Sequence, residues 1–231
     1  DRRGGLEFIV RFFCHPERPT SATNMLFFAF SMITVLWLSA AYIARVPEFL
    51  SVALFWSRVS LSLATIMCGI LFLLSCTLPE RRVPIPAPFL LMFASVTMLV
   101  VSVVLTPLVF YGARVVNDQT VFLVGKGIII FVAYIVLFSV SSFVSLIRKY
   151  RMLTGEKRLQ VASMLAGLSI LLFLILTTVS LPMFLFQSYF FIAFIPLYVL
   201  IFLMFTTYGI VKHHLFDLKV VATDVLIIFL W

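Results

Sequence analysis

The chain contains few charged residues and few cysteines. Charged residues make up 11% of its 231 residues, whereas 63% are hydrophobic. About a quarter of the residues in an average soluble domain are charged, so this composition excludes an ordinary water-soluble fold. The three cysteines, Cys14, Cys68 and Cys76, have no CxxC spacing. Neither a disulfide framework nor a zinc site is therefore predicted.

Motifs for catalysis are also missing. The sequence contains no GxxxxGK[ST] phosphate loop, no HExxH and no glycine-rich dinucleotide turn. Paired carboxylates for general acid-base chemistry are absent too, because no acidic residue lies in a predicted span before Asp224. We therefore predict no catalytic residue, no metal site and no cofactor, and we do not expect this chain to be an enzyme.

Long apolar runs are the main feature that the chain does contain. Runs of 18 or more apolar residues predict membrane-spanning helices. Because backbone amides in hydrocarbon must pair within their own segment, we expect an all-α polytopic membrane protein. Pro107 and Pro196 lie inside runs and predict local kinks. The predicted bundle has about six spanning helices, at about 24–44, 52–78, 89–111, 121–147, 161–182 and 189–211.

The two ends of the chain add incomplete apolar segments. Residues 6–13 are expected to be the remnant of a seventh, amino-terminal helix that is missing or partial. A new apolar run at 220–231 is too short to cross about 30 Å of hydrocarbon. We expect it to be the truncated start of a further membrane helix.

The net charge of +8 follows the predicted topology and is no nucleic-acid footprint. With a cytoplasmic amino end, nearly all lysines and arginines of the connecting segments lie on the inner side, as the positive-inside rule requires. The outer connections hold only Arg45 and Arg114, each near an acid. Six helices would then begin and end inside, which places the carboxyl-terminal end in the cytoplasm.

Several short motifs occur in a characteristic order. LWLS at 36–39, LFWSRVS at 54–60 and TLPERR at 77–82 precede the basic helix exit RKYR at 148–151. The turn LTGEKRLQ, an apolar helix containing Gly167, the loop at Leu181 and Pro182, and a final helix leading to YGIVKHHLFDLK follow. This order resembles the seven-transmembrane amino-terminal region of bacterial sensor histidine kinases.

The resemblance implies a function. Residues 1–219 would be the membrane-embedded sensor and anchor module of a two-component system. The module would pass a membrane or extracytoplasmic signal to a covalently linked cytoplasmic kinase that is not present in this chain. A homodimer in the bacterial inner membrane is implied as well, with the lipid bilayer as partner and with no nucleic acid.

Two charges inside predicted spans are candidates for ligand binding. Arg58 and Lys126 would each lie roughly 9 Å below the outer surface. A charge inside a membrane is energetically unfavourable, so a charge at such a position is a candidate for function. An outward-opening pocket for an anionic or amphipathic ligand would combine them with residues of the same rim. The alternative is that both cationic side chains extend to the membrane–water interface, and that Trp56 and Tyr189 belong to the belt of aromatic residues at that interface. The other predicted pocket residues are Trp56, Asp118, Gln119, Gln187 and Tyr189.

The exit from the last predicted span is a candidate for signal transmission. His214 is followed by Leu215 and not by an acid, so neither histidine of this segment fits a phosphoacceptor. Further ligands for a metal are also missing. We expect the segment to relay helix movements to the kinase through Tyr208, His213, His214, Phe216 and Asp217.

The alternative function is a carrier or permease fragment for an anionic substrate. Arg58 and Lys126 would bind the substrate, and three helices followed by three would form inverted repeats. The proline positions argue against such repeats, since both Pro107 and Pro196 would lie in the outer half of their helices.

Overall fold

A computed structural model describes residues 22–79, 86–116, 119–180, 182 and 194–212. Five of its helices are long and apolar enough to cross a membrane. The apolar part of the last described helix, Ile195–Tyr208, is shorter than these spans. The prediction of an all-α polytopic membrane protein with six helices is confirmed. The helices are α1 (Ala22–Arg45), α2 (Leu50–Thr77), α3 (Ala87–Leu105), α4 (Ile128–Met152), α5 (Gly155–Leu174) and α6 (Ile195–Lys212).

An antiparallel β-hairpin joins α3 to α4. Strands β1 (Phe110–Val116) and β2 (Gln119–Val124) pair from Val116 opposite Gln119 to Phe110 opposite Val124, with a register shift between Phe110 and Gly112. The apolar runs predicted helices at 89–111 and 121–147, so the helical assignment of the residues in both strands is wrong. Valine, threonine, phenylalanine and tyrosine dominate these strands and favour extended backbone. Hydropathy alone does not separate such short apolar strands from helix.

The two prolines inside predicted spans lie at helix ends instead. Pro107 follows α3, whose last residue is Leu105, and Thr106 is extended with a ψ of 162°. The residue before a proline avoids the helical region, which explains the end of α3 there. Pro196 occupies the first turn of α6, where its missing N–H has no intrahelical partner to lose. The predicted kinks at these two prolines are therefore wrong.

The remaining helices agree with the sequence prediction to different degrees, and α6 begins at Ile195, six residues later than expected. α1 and α2 begin and end within two residues of the predicted spans. α5 begins at Gly155, six residues earlier than expected, and continues into a π-helical segment, Ile175–Ser180. The segments 6–13 and 220–231 lie outside the described residues.

Helix α2 is the centre of the bundle. It packs against α1, α3, α4 and the hairpin. Its buried surface includes small hydroxylated residues, and the side chains of Ser62 and Thr65 donate to the carbonyls of Arg58 and Leu61, both at 2.9 Å. Small side chains that satisfy their own hydroxyls let helices approach closely in a membrane protein.

Two apolar clusters hold the helices together. The larger joins α1, α2, α4, α5 and α6 and includes the fully buried side chains of Leu74, Leu146 and Phe202. The smaller joins α2, α3 and α4 around Val104 and Tyr134. These clusters fix α2 relative to the helices on either side, so the groups at its two ends have defined positions.

Candidate functional site

The β-hairpin lies over the end of the bundle at which α2 begins. We call this the hairpin end. Thr120 donates from Oγ1 to the carbonyl of Arg45, the last residue of α1, at 3.4 Å. The N–H groups of Gly125 and Gly127 close the base of the hairpin by donating to Val109 and Leu108, at 2.8 and 2.9 Å. The hairpin is thereby attached to both α1 and the segment that follows α3.

Arg58 attaches the hairpin to α2. Its Nη2 donates to the carbonyl of Phe110, the first residue of β1, at 2.6 Å. The Nε of Arg58 is buried and has no hydrogen-bond partner in the part of the chain that the structure describes. A buried donor without an acceptor costs about 1–3 kcal/mol. Arg58 thus combines one strong structural contact with donor capacity that the described residues leave unused.

Lys126 lies elsewhere than the sequence predicts. It is exposed in the turn between β2 and α4, two residues before α4 begins. The prediction that it lies inside a spanning helix is wrong, because the first residues of that apolar run form β2. Among the described residues, no hydrogen bond brings the side chains of Arg58 and Lys126 to a shared partner.

The other predicted pocket residues are only partly described. Trp56 is partly buried in α2, and its ring contacts that of Phe55 with centroids 5.6 Å apart. Gln119 begins β2, and nothing is described of its side chain. Asp118, Gln187 and Tyr189 lie outside the described residues.

Lys149 contacts the opposite end of α2. From the sequence, this lysine counts only among the positive charges of an inner connecting segment. The Nζ of Lys149 donates to the carbonyl of Ser75 at 3.0 Å and also to those of Cys76 and Leu78. The last carbonyls of a helix have no intrahelical partner and carry the negative end of the helix dipole. Lys149 therefore joins the end of α4 to the end of α2.

The turn between α4 and α5 lies at this same end, which we call the turn end. Gly155 has a φ of 63°, a left-handed conformation that favours glycine. The guanidinium of Arg158, in the first turn of α5, lies 4.5 Å from the ring centre of Tyr150 in α4. This cation–π contact brings the basic ends of two helices together.

The predicted signal-transmission residues follow or end the last helix. Tyr208 lies in α6 with 54% of its surface exposed. His213, His214, Phe216 and Asp217 lie outside the described residues. Among the described residues, no group of three or more His, Cys, Asp or Glu side chains is placed to hold a metal ion.

Residues 6–219 match a family model described as the N-terminal 7TM region of histidine kinase. The chain belongs to this family. The resemblance predicted from the short motifs is confirmed. No curated protein and no solved structure matches the chain. The 7TM region is a non-catalytic domain of histidine kinases, and this member is a multi-pass membrane protein.

Proposed function

We propose that the chain is the sensory input module of a two-component sensor histidine kinase. It passes a membrane or extracytoplasmic signal to a covalently linked cytoplasmic kinase region, which performs the phosphoryl transfer. The observation that carries this proposal is the match of residues 6–219 to the family. In the proposal the module works as a homodimer in the bacterial inner membrane.

The proposed orientation places the hairpin end outside and the turn end in the cytoplasm. Positively charged residues at helix ends favour the cytoplasmic side. The described turn end holds five of them within residues 148–158, whereas the four at the described hairpin end, Arg45, Arg58, Arg114 and Lys126, are spread over residues 45–126. The turn-end cations are Arg148, Lys149, Arg151, Lys157 and Arg158. This asymmetry supports an output that leaves α6 on the cytoplasmic side.

The structure supports a specific route for the signal along α2. At the hairpin end, Arg58 holds β1, and at the turn end, Lys149 holds the last carbonyls of α2. A ligand that binds one arrangement of the hairpin better than another shifts the bundle toward that arrangement. Helix shifts of about 1–2 Å are sufficient to switch an interface. We infer that such a shift of α2 changes the position of the end of α4.

Arg58 is the residue that we propose for contact with the ligand, and Trp56, two positions earlier in α2, stays a prediction for the same pocket. An anionic group would provide an acceptor for the donor capacity of the guanidinium. Asp118, Gln119, Gln187 and Tyr189 stay predictions for the same pocket. Lys126 is exposed and lies outside the helix, so we assign it a smaller contribution. No observation favours the carrier alternative, since Arg58 is held by the hairpin and Lys126 is exposed in a turn outside the spanning helices.

The test of the proposed function compares the whole natural protein with point variants in membrane vesicles. Incorporation of phosphate from labelled ATP is measured per inserted molecule. We expect the protein to be labelled, and we expect Arg58→Ala to change the labelling several-fold because it releases the hairpin from α2. Lys126→Ala is the matched control, since it also removes a cation at the hairpin end but breaks no described contact.

Two results would contradict the proposal in different ways. Absence of phosphate incorporation would remove the kinase from the proposal altogether. Equal labelling of the natural protein, Arg58→Ala and Lys126→Ala at equal membrane insertion would show that the attachment of the hairpin to α2 through Arg58 does not influence the kinase, which would remove the proposed route.

A further inference from the structure

A groove of about 500 Å³ runs along one face of α4. The lining positions repeat at intervals of one, three and four residues, which is the spacing of a single stripe on an α-helix. With a rise of 1.5 Å per residue, the stripe is about 18 Å long. The lining residues are Val140, Ser141, Val144, Ser145, Arg148, Lys149 and Met152.

The part of the groove away from the turn end is apolar. The side chains of Val140 and Val144 are exposed. The hydroxyl of Ser141 donates to the carbonyl of Leu137 at 2.7 Å, so its donor is already used. α4 is one of the helices long and apolar enough to span a membrane. Its exposed face therefore meets lipid, and the part from Val140 to Arg148, about 12 Å long, covers most of one leaflet of a hydrocarbon core roughly 30 Å thick.

The other end of the groove is basic. Lys149 is engaged with the carbonyls of α2, whereas Arg148 is exposed and has no acidic partner among the described residues. A guanidinium binds phosphate oxygens through paired N–H donors. At the end of a spanning helix, a side chain of this length reaches the level of the lipid headgroups.

We propose that this groove binds one anionic phospholipid. An acyl chain lies along Val140 and Val144, and the phosphate-bearing headgroup contacts Arg148. An apolar stripe that ends in a cation with no acidic partner among the described residues, at headgroup level, complements the two parts of such a molecule. The lipid would lie beside Lys149, so it would brace the end of α4 where that helix holds α2.

Lipid retention by the purified protein tests this site. The protein is incubated with equal amounts of phosphatidylglycerol and phosphatidylcholine in detergent micelles, and bound lipid is counted by native mass spectrometry. We expect one phosphatidylglycerol to be retained in preference to phosphatidylcholine. Arg148→Gln should lower that retention by about fivefold or more, as expected for the loss of a cation at an anionic headgroup.

Two matched controls separate the groove from the surface around it. Arg151→Gln also removes an exposed cation from the end of α4, but Arg151 does not line the groove. Val144→Trp fills the groove, whereas Val132→Trp adds the same bulk to an exposed position of α4 outside it. We expect Arg151→Gln and Val132→Trp to retain phosphatidylglycerol as the unmodified protein does, and Val144→Trp to lose it.

Equal losses from Arg148→Gln and Arg151→Gln would overturn the proposal, because they would indicate only general attraction to the basic surface. Equal retention of the two lipids by the unmodified protein would overturn it as well. These outcomes do not depend on phosphate incorporation. Failure of the lipid site is therefore distinguishable from failure of the kinase proposal.

Discussion

Arg58 and Lys149 use backbone carbonyls as acceptors in a bundle whose spans contain almost no acid. Arg58 binds Phe110, 52 positions along the chain, and Lys149 binds Ser75, 74 positions away. A charge inside a membrane protein must find a partner, and sequence reasoning searches first for an opposite charge. A carbonyl is present at every residue, so it leaves no signal in the sequence. The sequence could therefore mark Arg58 as a charge inside a span, but it could not predict its partner, the carbonyl of Phe110.

Replacement of Lys149 by methionine tests the joint between α4 and α2. The substitution keeps an unbranched apolar stem and removes the ammonium, so the last carbonyls of α2 lose a charged donor. Hydrogen bonds to charged groups contribute about 1.5–3 kcal/mol. We expect the free energy of unfolding to fall by about 2 kcal/mol, measured by SDS titration of the purified protein with circular dichroism.

Lys157→Met is the control for this experiment. Lys157 is an exposed cation in the first turn of α5, close to the same turn. Its loss should change the unfolding free energy by less than about 0.5 kcal/mol, as for most surface substitutions. Equal destabilisation by the two variants would show that the end of α2 does not depend on Lys149.

At the scale of elements, α1 and α2 could be predicted from hydropathy to within two residues, whereas the hairpin could not. The bilayer fixes how long an apolar helix must be, so long runs identify spans well. Residues 110–124 extend two of these runs with the same apolar composition, and nothing in the run length marks the change to strand. Pro107 and the glycines at 112, 125 and 127 were the available signals, since they interrupt helices.

Gly125 is the position where the hairpin most strictly requires glycine. A Cβ added there would lie 2.2 Å from the carbonyl oxygen of Leu108, which belongs to the backbone. We expect Gly125→Ala to open the base of the hairpin and to speed amide hydrogen exchange in residues 108–127. Overpacking of this kind costs about 1–3 kcal/mol. Exchange is followed by mass spectrometry of peptides from the purified protein.

Gly112→Ala provides the comparison within the same hairpin. The Cβ added there would lie 2.9 Å from Cδ1 of Leu123, the flexible end of a side chain, which has room to move. We expect a smaller increase in exchange than for Gly125→Ala. If the two variants exchange alike, the close approach of Gly125 to Leu108 does not hold the hairpin.

At the scale of the whole molecule, the membrane class and the family could be predicted, whereas the contacts that join the helices could not. Apolar runs and a few polar motifs fix the class because the lipid environment limits the choice of fold. The central position of α2, its attachment to the hairpin and its attachment to α4 depend on side chains far apart in sequence. Those contacts are also what makes a route from one end of the bundle to the other physically possible.

The proposed orientation is tested by labelling single cysteines in intact cells. Cys14, Cys68 and Cys76 are replaced by serine, and Arg114→Cys or Glu156→Cys is then introduced. Arg114 is exposed in β1, and Glu156 is exposed at the start of α5. A membrane-impermeant maleimide should label Arg114→Cys from outside and Glu156→Cys only after permeabilisation, because the basic turn end is expected in the cytoplasm.

Labelling of both variants after lysis controls for access to the thiol. The reversed pattern would place the hairpin in the cytoplasm and the turn end outside. α6 begins at the hairpin end and ends on the side of the turn end because it is antiparallel to α5. Tyr198 in its first half bonds to Thr178 beyond the end of α5, whereas Phe205 in its second half lies against Gly167 in the middle of α5. A reversed bundle would therefore direct α6 away from the cytoplasm, and a shift of α2 could not reach a cytoplasmic kinase through it.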